Sequence, residues 1–124
     1  MSLTTYESKP VAKWNVNDFL AYLEAEHKRI FGIQYAPFKS FKTERGMLGN
    51  WAGTKRKPGK YGPELTKRFI DRCLAKYKPT RDFPGVSFGW MTLHMAYVRQ
   101  QVEAEIQAEQ QRADRNEGVD NTWF

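Results

Sequence analysis

The chain has 124 residues, of which 40% are hydrophobic and 15% aromatic, and its net charge is +6. This length fits one small domain with a modest core, and the aromatic content argues against a disordered chain. A single cysteine excludes a disulfide-stapled secreted scaffold. The sequence shows neither a signal peptide nor a run of roughly 18 apolar residues. We therefore expect a cytoplasmic protein (host cytoplasm if viral) with no membrane partner.

The N-terminal part of the chain is expected to be a loose arm followed by a helix. Residues 1–13 show no periodicity and form the predicted arm. The first helix is predicted over about residues 16–31. Asn15 is a preferred N-cap and Asp18, three residues later, suits a capping box. Gly32 supplies the C-terminal stop.

A second helix is predicted over about residues 38–52, after the turn that Pro37 imposes. Gly46 and Gly49 each weaken it by about 1 kcal/mol relative to alanine. Residues 53–62, which we call the basic loop, hold three glycines, a proline and four basic side chains. This composition excludes a helix and predicts an exposed, flexible loop, with a short hairpin as the alternative.

Two more helices complete the predicted fold. The third covers about residues 63–77, and the last begins after the N-cap Ser87 and ends near residue 112. Residues 113–124 are expected to form a flexible tail. These patterns predict an all-α fold, a single small domain of about four helices over residues 14–112.

The charge is unevenly distributed along the chain. Residues 1–86 hold 17 basic and 8 acidic side chains, a net charge of +9, whereas residues 87–124 carry a net charge of −3. Within residues 39–81 the net charge reaches +10. A positive field concentrated in this way attracts polyanions. Nucleic acid is therefore the favoured partner, and a solvated surface that keeps the protein soluble is the alternative.

The candidate nucleic-acid-binding residues lie in the basic loop and on the helix that follows it. Lysine and arginine contact phosphates without reading base sequence, and a loop followed by a helix can place them on duplex DNA. Duplex DNA is the favoured target and RNA the alternative. For Tyr61, packing is favoured over stacking on a base. The candidates are Lys55, Arg56, Lys57, Lys60, Lys67, Arg68 and Arg72.

No motif predicts catalysis, a metal site or a cofactor. His27, His94 and Cys73 lie on three different predicted helices, without the spacing of a metal site. Cys73 falls on an apolar stripe and is expected to be a core residue. Lys60 is followed by Tyr61, whereas a nucleotide-binding phosphate loop requires Ser or Thr at that point. We therefore expect a non-enzymatic protein.

The order of several short segments is similar to a pattern in small helical proteins of bacteriophages and mobile elements that assist or regulate replication by binding DNA. The similarity covers about residues 16–98. It implies a non-enzymatic accessory protein in phage replication or transcription control, which works with host or viral machinery. The basic loop departs from the pattern, in which a short helical connection is expected. The segments are Phe31-Gly32, Tyr35-Ala36-Pro37, Tyr61-Gly62-Pro63-Glu64-Leu65, Phe69-Ile70-Asp71 and Tyr77-Lys78-Pro79.

The end of the chain supports a second hypothesis. Acidic and amide residues lead to Trp123 and Phe124, a composition typical of a peptide anchor whose charges steer it and whose aromatic end fills a pocket. The alternatives are a frayed tail or a contact with the chain's own core. The second hypothesis is thus an adaptor that docks on, or inhibits, host replication or transcription machinery through its last helix and this end. A homodimer with paired last helices is also compatible with the apolar stripe.

Overall fold

A computed structural model describes residues 5–54 and 56–122, and this part of the chain contains five α-helices, two 3₁₀ turns and no β-strand. The predicted all-α class and single small domain are confirmed, with five helices where about four were expected. The 3₁₀ turns are Thr5–Ser8 and Val11–Lys13. The helices are α1 (Val16–Phe31), α2 (Phe41–Ala52), α3 (Pro63–Lys76), α4 (Phe88–His94) and α5 (Ala96–Thr122).

Local capping determines where α1 begins and ends. The Asn15 side chain accepts the Asp18 N–H, and the Asp18 carboxylate accepts the Asn15 N–H, both at 2.9 Å. Gly32 adopts left-handed geometry with a φ of +75° and ends the helix. The predicted capping box, C-terminal stop and helix bounds are all confirmed.

The start of α2 lies three residues later than predicted. Lys39 has a φ of +62°, which is incompatible with a right-handed helix at that residue. The Ser40 side chain then accepts the Thr43 N–H at 3.1 Å and caps the helix. A hydroxyl cap therefore takes the place of the helical turn that apolar spacing alone predicts.

The predicted last helix is divided in two. Ser87 caps α4 by accepting the Trp90 N–H, as predicted, but Met95 has a φ of −123° and a ψ of +32° and separates α4 from α5. The Met95 side chain stays buried, so the break keeps the apolar stripe against the core. α5 continues to Thr122, whereas the sequence predicts a flexible tail from residue 113. Glu-, Gln- and Ala-rich sequence favours helix even without burial. Trp123 and Phe124 lie outside the described residues.

The N-terminal segment is packed over its described residues, in contrast to the predicted loose arm. Tyr6 is buried and its ring meets the Trp14 ring edge-on, with 5.5 Å between centroids. Trp14 Nε1–H donates to the carbonyl oxygens of Tyr6 and Lys9, at 3.1 and 3.3 Å. Lys9 Nζ also pairs with Asp18 at 3.0 Å, which joins the segment to α1. Short 3₁₀ turns carry no apolar periodicity, so sequence pattern gives no signal for this packing.

α3 lies at the centre of the core, where it contacts α1, α2, α4 and α5. Phe69, Ile70 and Cys73 of this helix are fully buried, as are Val98 and Val102 of α5. The prediction that Cys73 is a core residue is confirmed, and burial raises the pKa of its thiol to about 12. The helix that carries three of the candidate basic residues is thus held on several sides.

A buried carboxylate fixes the start of α4. Glu44 is fully buried on α2, and its carboxylate accepts hydrogen bonds from Tyr35 Oη and from the Phe38 N–H. The same carboxylate accepts the Gly89 N–H at 2.8 Å, and Tyr35 Oη accepts the Phe88 N–H at 2.8 Å. Two N–H groups of the first turn of α4 are therefore satisfied by side chains from residues 35–44.

Candidate nucleic-acid interface

The basic loop is clamped to the end of α2 by backbone hydrogen bonds. The Lys60 N–H donates to the Asn50 carbonyl oxygen at 2.7 Å. The N–H groups of Tyr61 and Gly62 both donate to the Trp51 carbonyl oxygen, at 2.9 and 2.8 Å. The described residues of the loop therefore follow a defined path in place of the flexible one expected from its glycines.

Two glycines allow this path. Gly53 has a φ of +104° and forms an isolated antiparallel bridge with Pro58, so the alternative of a short hairpin is reduced to a single bridge. At Gly59, a Cβ atom would overlap the Gly53 nitrogen and the Trp51 carbonyl oxygen. Only glycine at residue 59 lets the returning chain lie this close to the end of α2.

Three described basic side chains project from the tip and the return of the loop. Arg56, Lys57 and Lys60 are exposed, and none of them forms an ion pair with a described residue. Thr54 Oγ1 accepts the N–H groups of Arg56 and Lys57, both at 3.3 Å, which orders the backbone at the tip. Lys55, the fourth candidate of the loop, lies outside the described residues.

A groove of about 510 Å³ separates the basic loop from the N-terminal segment, and we call it the Lys13 groove. Its lining includes Lys9 and Lys13 of the N-terminal segment, together with residues 52–54 and 58–59. Lys13 is exposed and forms no ion pair with a described residue. Sequence reasoning missed Lys13 because it placed residues 1–13 in a loose arm; the only available signal was the positive charge of residues 1–86.

The first turn of α3 also borders the Lys13 groove, through Gly62 and Pro63. The Gly62 N–H already donates to the Trp51 carbonyl oxygen and Pro63 has no N–H, so these two residues bring only the positive end of the α3 dipole to the groove. The groove thus combines the side chain of Lys13, a helix N-terminus and the neighbouring basic loop, all of which favour an anion.

The candidate residues on α3 face a different environment, because each forms an ion pair within the protein. Arg68 makes two parallel hydrogen bonds to Glu109, at 2.9 and 2.8 Å, and Arg72 makes two to Glu105. The pairing order shows that α3 and α5 run antiparallel. Lys67 Nζ pairs with Asp71 on the same helix at 2.8 Å. The structure therefore does not bring these three residues together with the basic loop as one set of unpaired cations.

The paired carboxylates have the geometry with which arginine also binds phosphate. The hydrogen bond from Arg72 lowers the pKa of Glu105, and the hydrogen bond from Arg68 lowers the pKa of Glu109, so both carboxylates stay ionised. The Arg68 and Glu109 side chains are 36% and 47% exposed. Solvent and salt screen ion pairs that are this exposed, and phosphate accepts the same two parallel hydrogen bonds from arginine. No pattern in the sequence indicates that this part of α5 faces α3.

Tyr61 packs within the protein, which agrees with the favoured prediction. The centroid of the Tyr61 ring lies 4.6 Å from the centroid of the Trp51 ring, and the Arg99 guanidinium lies 5.0 Å from the Tyr61 centroid. Lys60 Nζ is a further cation near the same ring, at 5.4 Å. Tyr61 is therefore already engaged by one aromatic ring and two cations of the protein.

Residues 5–54 and 56–122 contain no group of three or more His, Cys, Asp or Glu side chains arranged to hold a metal ion. No helix within these ranges combines the length and the apolar character needed to cross a membrane.

Comparison of the chain with protein-family models, with curated proteins and with solved structures gives no significant match. The resemblance to phage and mobile-element proteins stays a prediction.

Proposed function

We propose that the protein is a non-catalytic nucleic-acid-binding accessory protein whose main contact is the basic loop, and that its favoured target is the phosphate backbone of duplex DNA. One observation carries the proposal: Arg56, Lys57 and Lys60 are exposed and unpaired among the described residues, on a loop whose backbone is clamped. Because the described backbone of the loop is already fixed, binding does not have to order it, and these cations contact phosphates without reading base sequence.

The surroundings of the loop favour duplex over single-stranded nucleic acid. Binding of single strands depends strongly on aromatic side chains that stack with bases. Tyr61, the aromatic residue of the basic loop, already contacts Trp51, Lys60 and Arg99. Contacts made only to phosphates suit a duplex, whose backbones form two regular lines of charge. Lys13 extends the contact surface beyond the loop.

The α3 candidates have a secondary part in this proposal. Arg68 and Arg72 would contact phosphate only after exchanging Glu109 and Glu105 for it. We assign the first contacts to Arg56, Lys57, Lys60 and Lys13, together with Lys55. A role in phage replication or transcription control, and host or viral proteins as partners, are parts of the proposal that rest on the resemblance alone.

The experiment is a salt titration of binding to labelled duplex DNA, single-stranded DNA and RNA, with the R56E/K57E variant beside the unaltered chain. Each phosphate contact that is lost reduces the slope of log K against log[salt] by about 0.9 on duplex DNA. We therefore expect the variant to bind every duplex sequence more weakly and with a slope smaller by about 2.

The matched control is K78E/R81E, which changes the net charge by the same amount. Lys78 and Arg81 are exposed and follow the end of α3, whereas the basic loop precedes its start. The 14 residues of α3 separate these two sites by about 20 Å. Equal losses in both variants would indicate a response to net charge alone, and no binding to any of the three nucleic acids at low salt would refute the proposal.

The adaptor is the second candidate function, and the length of α5 favours it. α5 runs past the start of α3, since Ala113 and Glu64 border the same groove, and residues 107–115 are all exposed. A helix that projects without covering the core offers a surface to another protein. Truncation after Arg112 should leave DNA binding intact and abolish an adaptor function, so one variant separates the two candidates.

A further inference from the structure

An apolar pocket lies at the end of α3 that is remote from the basic loop. Its volume is about 300 Å³, and we call it the Trp90 pocket. Tyr77, Phe83 and Trp90 supply aromatic walls, and Ile33 and Pro84 supply aliphatic ones. This volume is at the small end of ligand cavities, which span about 300–1,000 Å³, and suits one or two aromatic side chains.

The walls of the Trp90 pocket are preformed and partly exposed. Tyr77 Oη donates to the Phe83 carbonyl oxygen at 2.6 Å, and His27 Nε2 accepts the Val86 N–H at 3.1 Å. The Phe83 side chain is nevertheless 69% exposed, and Ile33 is 40% exposed. Apolar side chains exposed around a fixed cavity are typical of a surface that another molecule covers.

The charges around the pocket indicate an acidic occupant. Lys28, Lys78 and Arg81 neighbour the lining residues in sequence, are exposed and form no ion pair with a described residue. Lys76 precedes the lining residue Tyr77 and is a fourth exposed cation.

The acidic residues are Asp82, which lines the pocket, and Glu26, which precedes the lining residue His27 and pairs with Arg29. We call the lining residues and their sequence neighbours the rim, which holds four basic and two acidic side chains and a net charge of +2. This charge disfavours a cationic ligand and favours an acidic segment with apolar anchors.

Residues 113–124 of the chain have this composition. The segment contains Asp114, Glu117 and Asp120 against a single Arg115, a net charge of −2, and it closes with Trp123 and Phe124. Aromatic anchors flanked by acidic residues match an aromatic pocket with a cationic rim.

The course of α5 leads away from the Trp90 pocket of its own molecule. α5 begins at Ala96, close to Trp90, and ends at Thr122, so its 27 residues carry the end of the helix about 39 Å along the axis. A second molecule is under no such restriction. We propose that the Trp90 pocket binds residues 113–124 of a second copy of this chain, with Trp123 and Phe124 as the anchors.

This contact joins two different surfaces, the pocket of one molecule and the tail of the next. Such head-to-tail contacts produce a ring when the rotation closes and an open chain of molecules when it does not. It differs from the paired last helices considered from the sequence, because α5 of one copy meets α4 of another.

The first test measures the mass of the full chain by sedimentation over a range of concentrations, beside the W123A/F124A variant. The proposal requires the unaltered chain to self-associate and the variant to be monomeric at the same concentrations. Self-association that is the same in both would overturn it, as would an unaltered chain that stays monomeric at about 1 mM, where even weak contacts of millimolar Kd are populated.

The second test supplies the segment in trans. A labelled peptide of residues 113–124 is titrated with the full-length W123A/F124A protein, whose own tail no longer competes, and anisotropy is measured. We expect binding that weakens at least about tenfold when F83E is added to the protein, because an anchor residue loses its pocket wall. Added salt should also weaken binding, since the rim charges are exposed.

The matched control for F83E is L93E, since Leu93 is 60% exposed and lies outside the pocket lining. The proposal requires L93E to leave peptide binding within about twofold of the parent protein, as expected for a change outside a contact surface. Equal weakening by both variants, or a peptide in which both aromatics are alanine binding as well as the original, would overturn it. Neither test uses nucleic acid, so its outcome is independent of the proposed function.

Discussion

Replacing the two carboxylates that pair with α3 should release two arginines for DNA. In the E105Q/E109Q variant, Arg68 and Arg72 lose the bidentate partners that they have in the free protein. A glutamine amide still hydrogen-bonds but carries no charge, so phosphate becomes the better partner for each guanidinium. The side chains concerned are partly exposed, so the fold should remain intact.

The magnitude follows from the number of contacts. Two further phosphate contacts should steepen the slope of log K against log[salt] by about 1.8 on duplex DNA. Between 50 and 200 mM salt, this difference corresponds to an additional loss of affinity of about twelvefold for the variant. At the lower salt concentration the variant should bind more tightly than the unaltered chain, by about threefold to tenfold.

The assay is fluorescence anisotropy with a labelled duplex at four or more salt concentrations. The control is E24Q/D82N, which also removes two negative charges, but from exposed residues outside the α3–α5 contact. A nonspecific change in net charge would raise affinity equally in both variants and leave the two slopes equal. That result would refute the reasoning, because it would mean that the arginines gain no phosphate contact when their partners are removed.

Three further predictions concern stability and reactivity. G59A should lower the free energy of unfolding by about 2 kcal/mol and weaken DNA binding, because the added Cβ forces the loop away from α2. Urea denaturation measures the change in stability. G46A is the control that should be tolerated, because its Cβ meets open space. E44A should cost about 3 kcal/mol, since it leaves buried donors unsatisfied, and E24A on the exposed surface should cost far less in the same assay. Cys73 has a thiol pKa of about 12, so only about one molecule in 10⁴ should carry the thiolate at pH 8. This buried thiol should resist thiol reagents until the protein unfolds, and rapid labelling of the native protein would contradict its burial.

The helices could be predicted where short-range chemistry decides their ends. Asn15 and Gly32 act through residues no more than four positions away, so the bounds of α1 follow directly from the sequence. The start of α2 depends instead on the positive φ of Lys39, and the break at Met95 depends on packing against the core. Neither of these two features can be predicted from the spacing of apolar residues.

The candidate site also contains parts that short-range sequence features predict and parts that depend on the tertiary fold. Exposure of Arg56, Lys57 and Lys60 follows from a glycine- and proline-containing segment that cannot bury its side chains. The pairing of Arg68 with Glu109 joins residues 41 positions apart, and it requires the antiparallel contact of α3 and α5 to be known first. Charge counting along the sequence treats both arginines as available cations, whereas in the folded chain both are already paired.

The buried Glu44 also has a consequence for how the protein folds. α4 has only seven residues, a length at which an isolated helix does not persist in water. Its first N–H groups find their acceptors on Glu44 and Tyr35, which are 45 and 53 positions earlier in the chain. We therefore expect α4 to form after α2 and the segment before it have docked on the core. It belongs to the late events of folding, and in native-state hydrogen exchange its amides should open together with those that depend on the Glu44 contact.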